Sequence, residues 1–351
     1  MECQKLQQFK KTGMEGKMKE LKRVEARQLL LGVTLIGIFA SVPWLCGRNT
    51  AGSGFTGYAL YAILLNFLTA GISCLVFTKI GKSEKTGIVC GALYTMSVFR
   101  TFKVVVEGAA GEGLVLLFLL LVLYGVYELA DRQAGRIEKK ALLILFIGAA
   151  GSLSGFLYPL FRESRQQGVS LRELTSPLIQ SRGLYPAQLA VHFGRVDGLS
   201  ARNAESMEHA YPVGVGFVLA AVLALFLILW FSGAFLKKKS RARTLAKVLA
   251  VLSILFMWMS LQCFPWDRLQ TANGTLALLV GMIQFPERFL GLATLCLVYL
   301  CAFCLRYLEE EKGKAYPAAL TAVFLCLLTS NLYFLDYAAS LEILPWMGAA
   351  L

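Results

Sequence analysis

The chain contains about nine apolar runs, each long enough to cross the hydrocarbon core of a membrane. A membrane-spanning α-helix needs about 20 mostly apolar residues to cross a core of about 30 Å. We therefore predict an all-α fold, a polytopic membrane bundle of about nine transmembrane helices. The predicted spans are 28–46, 57–77, 87–106, 113–130, 141–161, 212–235, 245–263, 286–306 and 316–335.

The charge of the chain indicates a membrane surface as its anionic partner rather than nucleic acid. The formal net charge is +13, but the Lys and Arg residues occur in short clusters between apolar runs and form no continuous basic face. Such clusters attract anionic lipid headgroups. With two histidines, and nine cysteines that lack ligand spacing, we predict no metal site built from these residues.

Positive charge alternates between the short loops and predicts the orientation of the chain, because Lys and Arg mark cytoplasmic loops. We predict a cytoplasmic basic tail at 1–27, a transmembrane domain at 28–335 and an extracytoplasmic C-terminal tail at 336–351. The positive residues of the predicted inner loops are Lys79, Lys82, Lys85, Arg132, Arg136, Lys139, Lys140, Lys237, Lys238, Lys239, Arg241, Arg243, Lys312 and Lys314.

Two segments outside the regular spans have prolines at the positions where helices begin. In the long extracytoplasmic loop at 162–211, Pro177 and Pro186 each start a short apolar stretch, which predicts interfacial helices. That loop is a structural lid or one that handles substrate. In the segment at 264–285, the apolar stretch 276–284 between Pro265 and Pro286 is too short to span and predicts a re-entrant or interfacial helix.

Charged residues cluster at the predicted outer ends of the third and fourth spans. Spacing by three and four places Arg100, Lys103 and Glu107 on one helical face, where Lys103 can pair with Glu107. Arg100 and Lys103 lie close enough to the end of their span to extend toward the interface. Glu112 follows at the start of the next span.

Short motifs along the chain resemble bacterial YfhO-like membrane proteins and the related group named 6-pyruvoyl-tetrahydropterin-synthase-related membrane proteins. The clearest matches are Phe264–Trp266, reading FPW, and Ile283–Phe289, reading IQFPERF, beside the weaker matches at 92–100, 108–112, 118, 124–128 and 205–216. The resemblance extends over about 80–336. It implies a GT-C-like fold in the plasma membrane, whose enzymes transfer a sugar from a polyprenyl-phosphate donor at the outer leaflet.

Such a transfer requires a carboxylate as base, and cations or a metal to hold the phosphate. The re-entrant segment would bring Asp267 and Arg268 toward Glu287 and Arg288. A planar guanidinium binds phosphate in a bidentate manner, which favours Arg288 as phosphate ligand. Asp267 is then the base or a metal ligand. The catalytic candidates are Asp267 and Glu112, and the binding candidates are Arg288, Arg268, Gln284, Trp266, Arg100, Lys103 and Glu107.

Other interpretations of the same residues stay open. Asp267 and Arg288 can form an ion pair that only closes the loop, and Trp266 can rest at the headgroups instead of stacking on substrate. A member of this group can also act as a non-catalytic scaffold or assembly protein of the cell envelope. A lipid or solute transporter is less favoured, because Glu128 and Arg306 lie at span ends rather than in mid-span.

Overall fold

The computed structural model describes residues 25–43, 53–106, 109–131, 139–167, 179–190, 213–233, 241–272, 274–283, 285–311 and 313–340. These residues are helical apart from turns and one isolated bridge between Leu184 and Leu261, which confirms the all-α prediction. The α-helices are α1 (Glu25–Pro43), α2 (Ser53–Gly81), α3 (Glu84–Thr95), α4 (Val98–Thr101), α5 (Ala110–Asp131), α6 (Lys139–Gln167), α7 (Phe217–Phe231), α8 (Arg241–Met259), α9 (Trp266–Ala272), α10 (Gly274–Gly281), α11 (Phe289–Glu311) and α12 (Ala315–Ser340).

Seven helices of the described chain are long and apolar enough to cross a membrane: α1, α2, α5, α6, α8, α11 and α12. An eighth span results if α3 and α4 are counted together, since this pair is bent by 45° at Met96 and Ser97. The span predicted at 87–106 is therefore interrupted, and it crosses the membrane only if the bent pair acts as one span. The remaining predicted span contains α7, which has 15 residues in the part of the chain described here.

Helix α11 forms the centre of the bundle. It packs against α2, α3, α5, α7, α8 and α12. In its most apolar stretch of 18 residues, 83% of the residues are buried. Small side chains such as Ala293, Cys301 and Ala302 are almost fully buried along it and allow neighbouring helices to approach closely. By contrast, only 11% of the residues in the most apolar stretch of α6 are buried. Most of that helix therefore faces the surroundings of the bundle.

Helices α5 and α6 form a close pair through small residues. Gly148, Gly151 and Gly155 have the three- and four-residue spacing of small residues at a helix contact, and all three lie against α5. A Cβ atom on Gly148 would lie 2.8 Å from the backbone nitrogen of Val122 and 2.9 Å from the carbonyl oxygen of Phe118. Since both neighbours are backbone atoms, the pair could accommodate a larger residue only by separating.

The segment at 179–190 packs on the corner between α8 and α9. Ile179 is fully buried against Trp266 and Val280, and Leu184 exchanges backbone hydrogen bonds with Ser260 and Gln262, both at 2.9 Å. Pro186 begins a 3₁₀ turn that ends at Leu189. Where a helix is predicted after Pro177, the described residues form a 3₁₀ turn, Gln180–Arg182, and the part of the second predicted helix beyond residue 190 lies outside the described residues.

Candidate functional site

A cavity of about 690 Å³ lies between α5, α6 and the start of α11. Nearly all of its lining is apolar, and the charged groups that reach it are Glu112 and Arg288. Its volume is within the range of about 300–1,000 Å³ found for ligand pockets. The lining residues are Phe99, Glu112, Val115, Leu116, Leu119, Ala149, Ser152, Leu153, Gly155, Phe156, Ile283, Phe285, Arg288, Phe289 and Leu292.

Arg288 enters this cavity from a 3₁₀ turn, Pro286–Arg288, that leads directly into α11. Its Nε donates a hydrogen bond to Glu112 Oε1 at 2.8 Å, and its Nη1 donates to the carbonyl oxygen of Ile283 at 2.9 Å. The guanidinium also lies over the rings of Phe285 and Phe156, at 5.3 and 6.0 Å from their centroids. The group is therefore oriented by both polar and aromatic contacts.

Lys103 lies behind the same cavity in a π-helical turn, Phe102–Val106, that continues α4. Its Nζ donates a hydrogen bond to Glu287 Oε1 at 2.8 Å and lies 3.8 Å from Glu112 Oε2. The Lys103 side chain is 2% exposed, whereas those of Glu112 and Glu287 are 25% and 16% exposed. Single π turns of this kind occur frequently at functional sites.

We refer to Lys103, Glu112, Glu287 and Arg288 as the ion-pair cluster. Glu112 is central to it, because one of its oxygens accepts from Arg288 and the other faces Lys103. The cluster joins the π turn before α5 and the first turn of α5 to the turn before α11, and its members Glu112 and Arg288 line the cavity. An anionic ligand in the cavity would compete with the Glu112 carboxylate for the donors of Arg288.

Arg100 is held on a different side of the same segment. Its Nη1 donates to the carbonyl oxygen of Thr95 at 2.8 Å and its Nη2 donates to Thr69 Oγ1 at 3.1 Å, while its Nε is buried without a hydrogen-bond partner. Arg100 and Lys103 are both buried in the bundle, so the prediction that they extend to the interface is wrong. Glu107, the predicted partner of Lys103, lies outside the described residues.

Asp267, Arg268 and Trp266 do not line the cavity. The backbone N–H of Asp267 donates to Gln180 Oε1 at 3.2 Å, and its carboxylate forms no ion pair with Arg288, whose described carboxylate partner is Glu112. Arg268 is exposed. The loop-closing pair of Asp267 and Arg288 is therefore not formed, because α9 packs toward the segment at 179–190. Gln284 lies outside the described residues.

Trp266 is a structural support behind the cavity wall. It is 2% exposed, its Nε1 donates to the carbonyl oxygen of Met259 at 2.9 Å, and its ring stacks on Phe289 with centroids 5.5 Å apart. Because Phe289 lines the cavity, this contact positions the wall from behind. A residue held in this way inside the protein does not rest at the lipid headgroups.

Sequence reasoning missed the aromatic and hydroxyl residues of the site. Phe156, Phe285 and Ser152 line the cavity, and their apolar or neutral character gives no signal in the sequence that would distinguish them from lipid-facing residues. Among the described residues no group of three His, Cys, Asp or Glu side chains could hold a metal ion. Comparison with known proteins found no matching family model, no matching curated protein and no matching solved structure.

Proposed function

We propose that this protein binds a polyprenyl-phosphate-linked sugar in the cavity and transfers the sugar at the outer leaflet of a bacterial membrane. The observation that carries the proposal is the pairing of Arg288 and Glu112 in the lining of an otherwise apolar cavity of about 690 Å³. A ligand that fits such a lining has a long apolar part and a small anionic head. The resemblance of the FPW and IQFP motifs to YfhO-like proteins supports the same class of ligand.

The apolar walls suit the hydrocarbon chain of the donor. Leu116, Leu119 and Leu153 lie along them, and Leu153 is also one of the side chains of α6 that face away from the bundle. A hydrocarbon chain of the donor that enters between α5 and α6 would replace its contacts with membrane lipid by contacts with these side chains. Shape and dispersion contacts, rather than a hydrophobic driving force, would then hold it in place.

Arg288 suits the phosphate. Its guanidinium presents several donors in one plane, and a phosphate oxygen can take the position that Glu112 Oε1 occupies at 2.8 Å from Nε. Charge-assisted bonds of this kind contribute about 1.5–3 kcal/mol each when they are partly buried. After this exchange Glu112 would still face Lys103, which lies 3.8 Å from its second oxygen.

In the transfer step, the hydroxyl oxygen of the acceptor attacks the anomeric carbon of the sugar, and its proton goes to the Glu112 carboxylate. The bond between the anomeric carbon and the phosphate oxygen breaks, and its electron pair stays on the phosphate held by Arg288. Lys103 and Glu287 position Glu112 and the turn before α11 during this step. Glu112 is favoured over Asp267 as the base because it lines the cavity together with Arg288.

A binding protein without catalysis is the second candidate. The observation that favours it is the contact of Glu112 with both Arg288 and Lys103, since ion pairs of this kind can serve only to hold the turns before α5 and α11 together. The two candidates differ in what Glu112→Gln does. A catalytic Glu112 is needed for discharge of the donor, whereas a structural one is not.

Mass spectrometry of lipids that co-purify with the protein tests the proposal. The wild-type protein should retain a phosphate-containing lipid, and Arg288→Gln should lose most of it. Glu112→Gln should retain it in the sugar-bearing form, because the competing carboxylate is removed and discharge is blocked. Arg165→Gln is the matched control, since this exposed arginine near the end of α6 lies outside the cavity lining.

Equal retention of phosphate-containing lipids by Arg288→Gln and wild type, with both proteins folded, would refute the site. Retention of a sugar-bearing lipid in equal proportion by Glu112→Gln and wild type would instead favour the binding protein. A thermal melt of each variant in the same detergent shows whether a loss of lipid follows from a loss of fold.

A further inference from the structure

Arg182 brings a second guanidinium to the same end of the cavity. Its Cζ lies 5.1 Å from the centroid of the Phe285 ring, and the Cζ of Arg288 lies 5.3 Å from that centroid. Phe285 lines the cavity and is 37% exposed. One aromatic ring at the edge of the cavity therefore contacts two planar cations that come from distant parts of the chain.

The backbone around Arg182 is anchored on both sides. On one side Ile179 is fully buried and its carbonyl oxygen accepts from the N–H of Arg182 at 3.1 Å. On the other side Leu184 bonds to Ser260 and Gln262, and a Cβ on Gly183 would lie 2.5 Å from the backbone nitrogen of Gln262. Arg182 is thus an exposed side chain on a firmly attached turn.

The charge of Arg182 is not neutralised by any carboxylate of the described chain, whereas that of Arg288 is paired with Glu112. Each guanidinium can bind one phosphate group in a bidentate manner. A single phosphate ester at Arg288 would leave Arg182 without an anionic partner among the ligand and the described residues. A head with two linked phosphates supplies one phosphate for each guanidinium.

We infer that the lipid ligand carries a diphosphate head, with one phosphate on Arg288 and the other on Arg182. The inference rests on the proposed function and narrows its substrate class from lipid phosphates to lipid diphosphates. Arg182 is then a specificity-determining residue of the segment at 179–190. Phe285 keeps the two guanidinium groups at a fixed spacing by lying against both.

Binding of two probes with the same tail, farnesyl monophosphate and farnesyl diphosphate, tests this inference on the full-length protein in detergent. Wild type should bind the diphosphate about tenfold more tightly, because it gains a second charge-assisted contact. Arg182→Gln should lose this preference and keep its affinity for the monophosphate. Arg182→Lys should retain part of the preference, since a lysine keeps the charge without the planar fork.

The control is Arg165→Gln, which removes an exposed arginine near the same end of the bundle and should behave as wild type. Equal affinity of wild type for the two probes would overturn the diphosphate inference and leave the lipid-phosphate site intact. The diphosphate inference is also overturned if Arg182→Gln keeps the preference for the diphosphate, or lowers the affinity for both probes by the same factor. Either result is expected of an arginine that only packs on Phe285. Absence of binding for both probes would refute the proposed function itself, and the inference with it.

Discussion

The hydrogen bond between Lys103 and Glu287 provides the sharpest test of how the ion-pair cluster is held. Lys103→Met removes the cation from a position that is 2% exposed and takes from Glu287 its ion-pair partner, while Glu112 keeps its contact with Arg288. The two carboxylates then lie in a partly dehydrated site without enough positive charge. Methionine has nearly the volume of the lysine stem, so the change removes charge without creating a large cavity.

The expected cost follows from the burial of the partners. Removing one member of a buried ion pair costs about 3–5 kcal/mol, because the other charge is left uncompensated. The side chains of Glu287 and Glu112 are 16% and 25% exposed, so water can reach both. We therefore expect Lys103→Met to lower the free energy of unfolding by about 3 kcal/mol, at the lower end of that range. The double variant Lys103→Met, Glu287→Gln should recover about 1–2 kcal/mol of this cost, because the uncompensated charge is removed.

Thermal unfolding in one detergent, monitored by tryptophan fluorescence, measures these differences. A cost of about 3 kcal/mol should lower the melting temperature by about 5 °C or more. Lys140→Met, at an exposed position near the start of α6, is the control and should change it little. The melting temperature of Glu287→Gln alone completes the comparison. If the changes caused by Lys103→Met and Glu287→Gln simply add up in the double variant, the two residues are not coupled and the reasoning is refuted.

Two further predictions concern packing and topology. Gly148→Ala should destabilise the protein by about 1–3 kcal/mol, since the new Cβ would meet backbone atoms of α5 at 2.8 and 2.9 Å. Gly274→Ala is the control in the same thermal melt and should have little effect, because a Cβ there meets nothing within 4 Å. In a cysteine-free background, Asn273→Cys should react with an impermeant maleimide in intact cells and Lys238→Cys should not, because the lysine-rich loop is predicted to be cytoplasmic. Labelling of both positions, or of Lys238→Cys alone, would contradict the predicted orientation.

Local sequence reasoning succeeded where one residue type decides the outcome. The apolar runs are helical because a stretch of about 20 apolar residues can satisfy its backbone only within itself when water is absent. The glycines at 148, 151 and 155 form the contact with α5 because residues three and four positions apart share one helical face. The break at Met96 and Ser97 has no proline or glycine to announce it, and the sequence therefore did not reveal it.

The candidate site was only partly predictable for a related reason. The sequence identified Lys103, Glu112 and Arg288 as charges that a membrane protein would not place in apolar surroundings without a role. It paired Lys103 with Glu107 and allowed a pair of Asp267 and Arg288, because spacing along one segment is the information that sequence provides. The partners found within the described residues, Glu287 for Lys103 and Glu112 for Arg288, lie 184 and 176 residues away, and Glu107 lies outside those residues.

The sequence by itself determined the class of this protein: a bundle of apolar helices with charges concentrated near a few helix ends. Only the tertiary structure decided which charges meet, because that depends on which helices are neighbours and how they are rotated. The central position of α11 between α3 and α5 brings Glu287 and Arg288 beside Lys103 and Glu112. Helix periodicity repeats every 3.6 residues and contains no information about a partner on another helix, so this meeting could not be read from the chain.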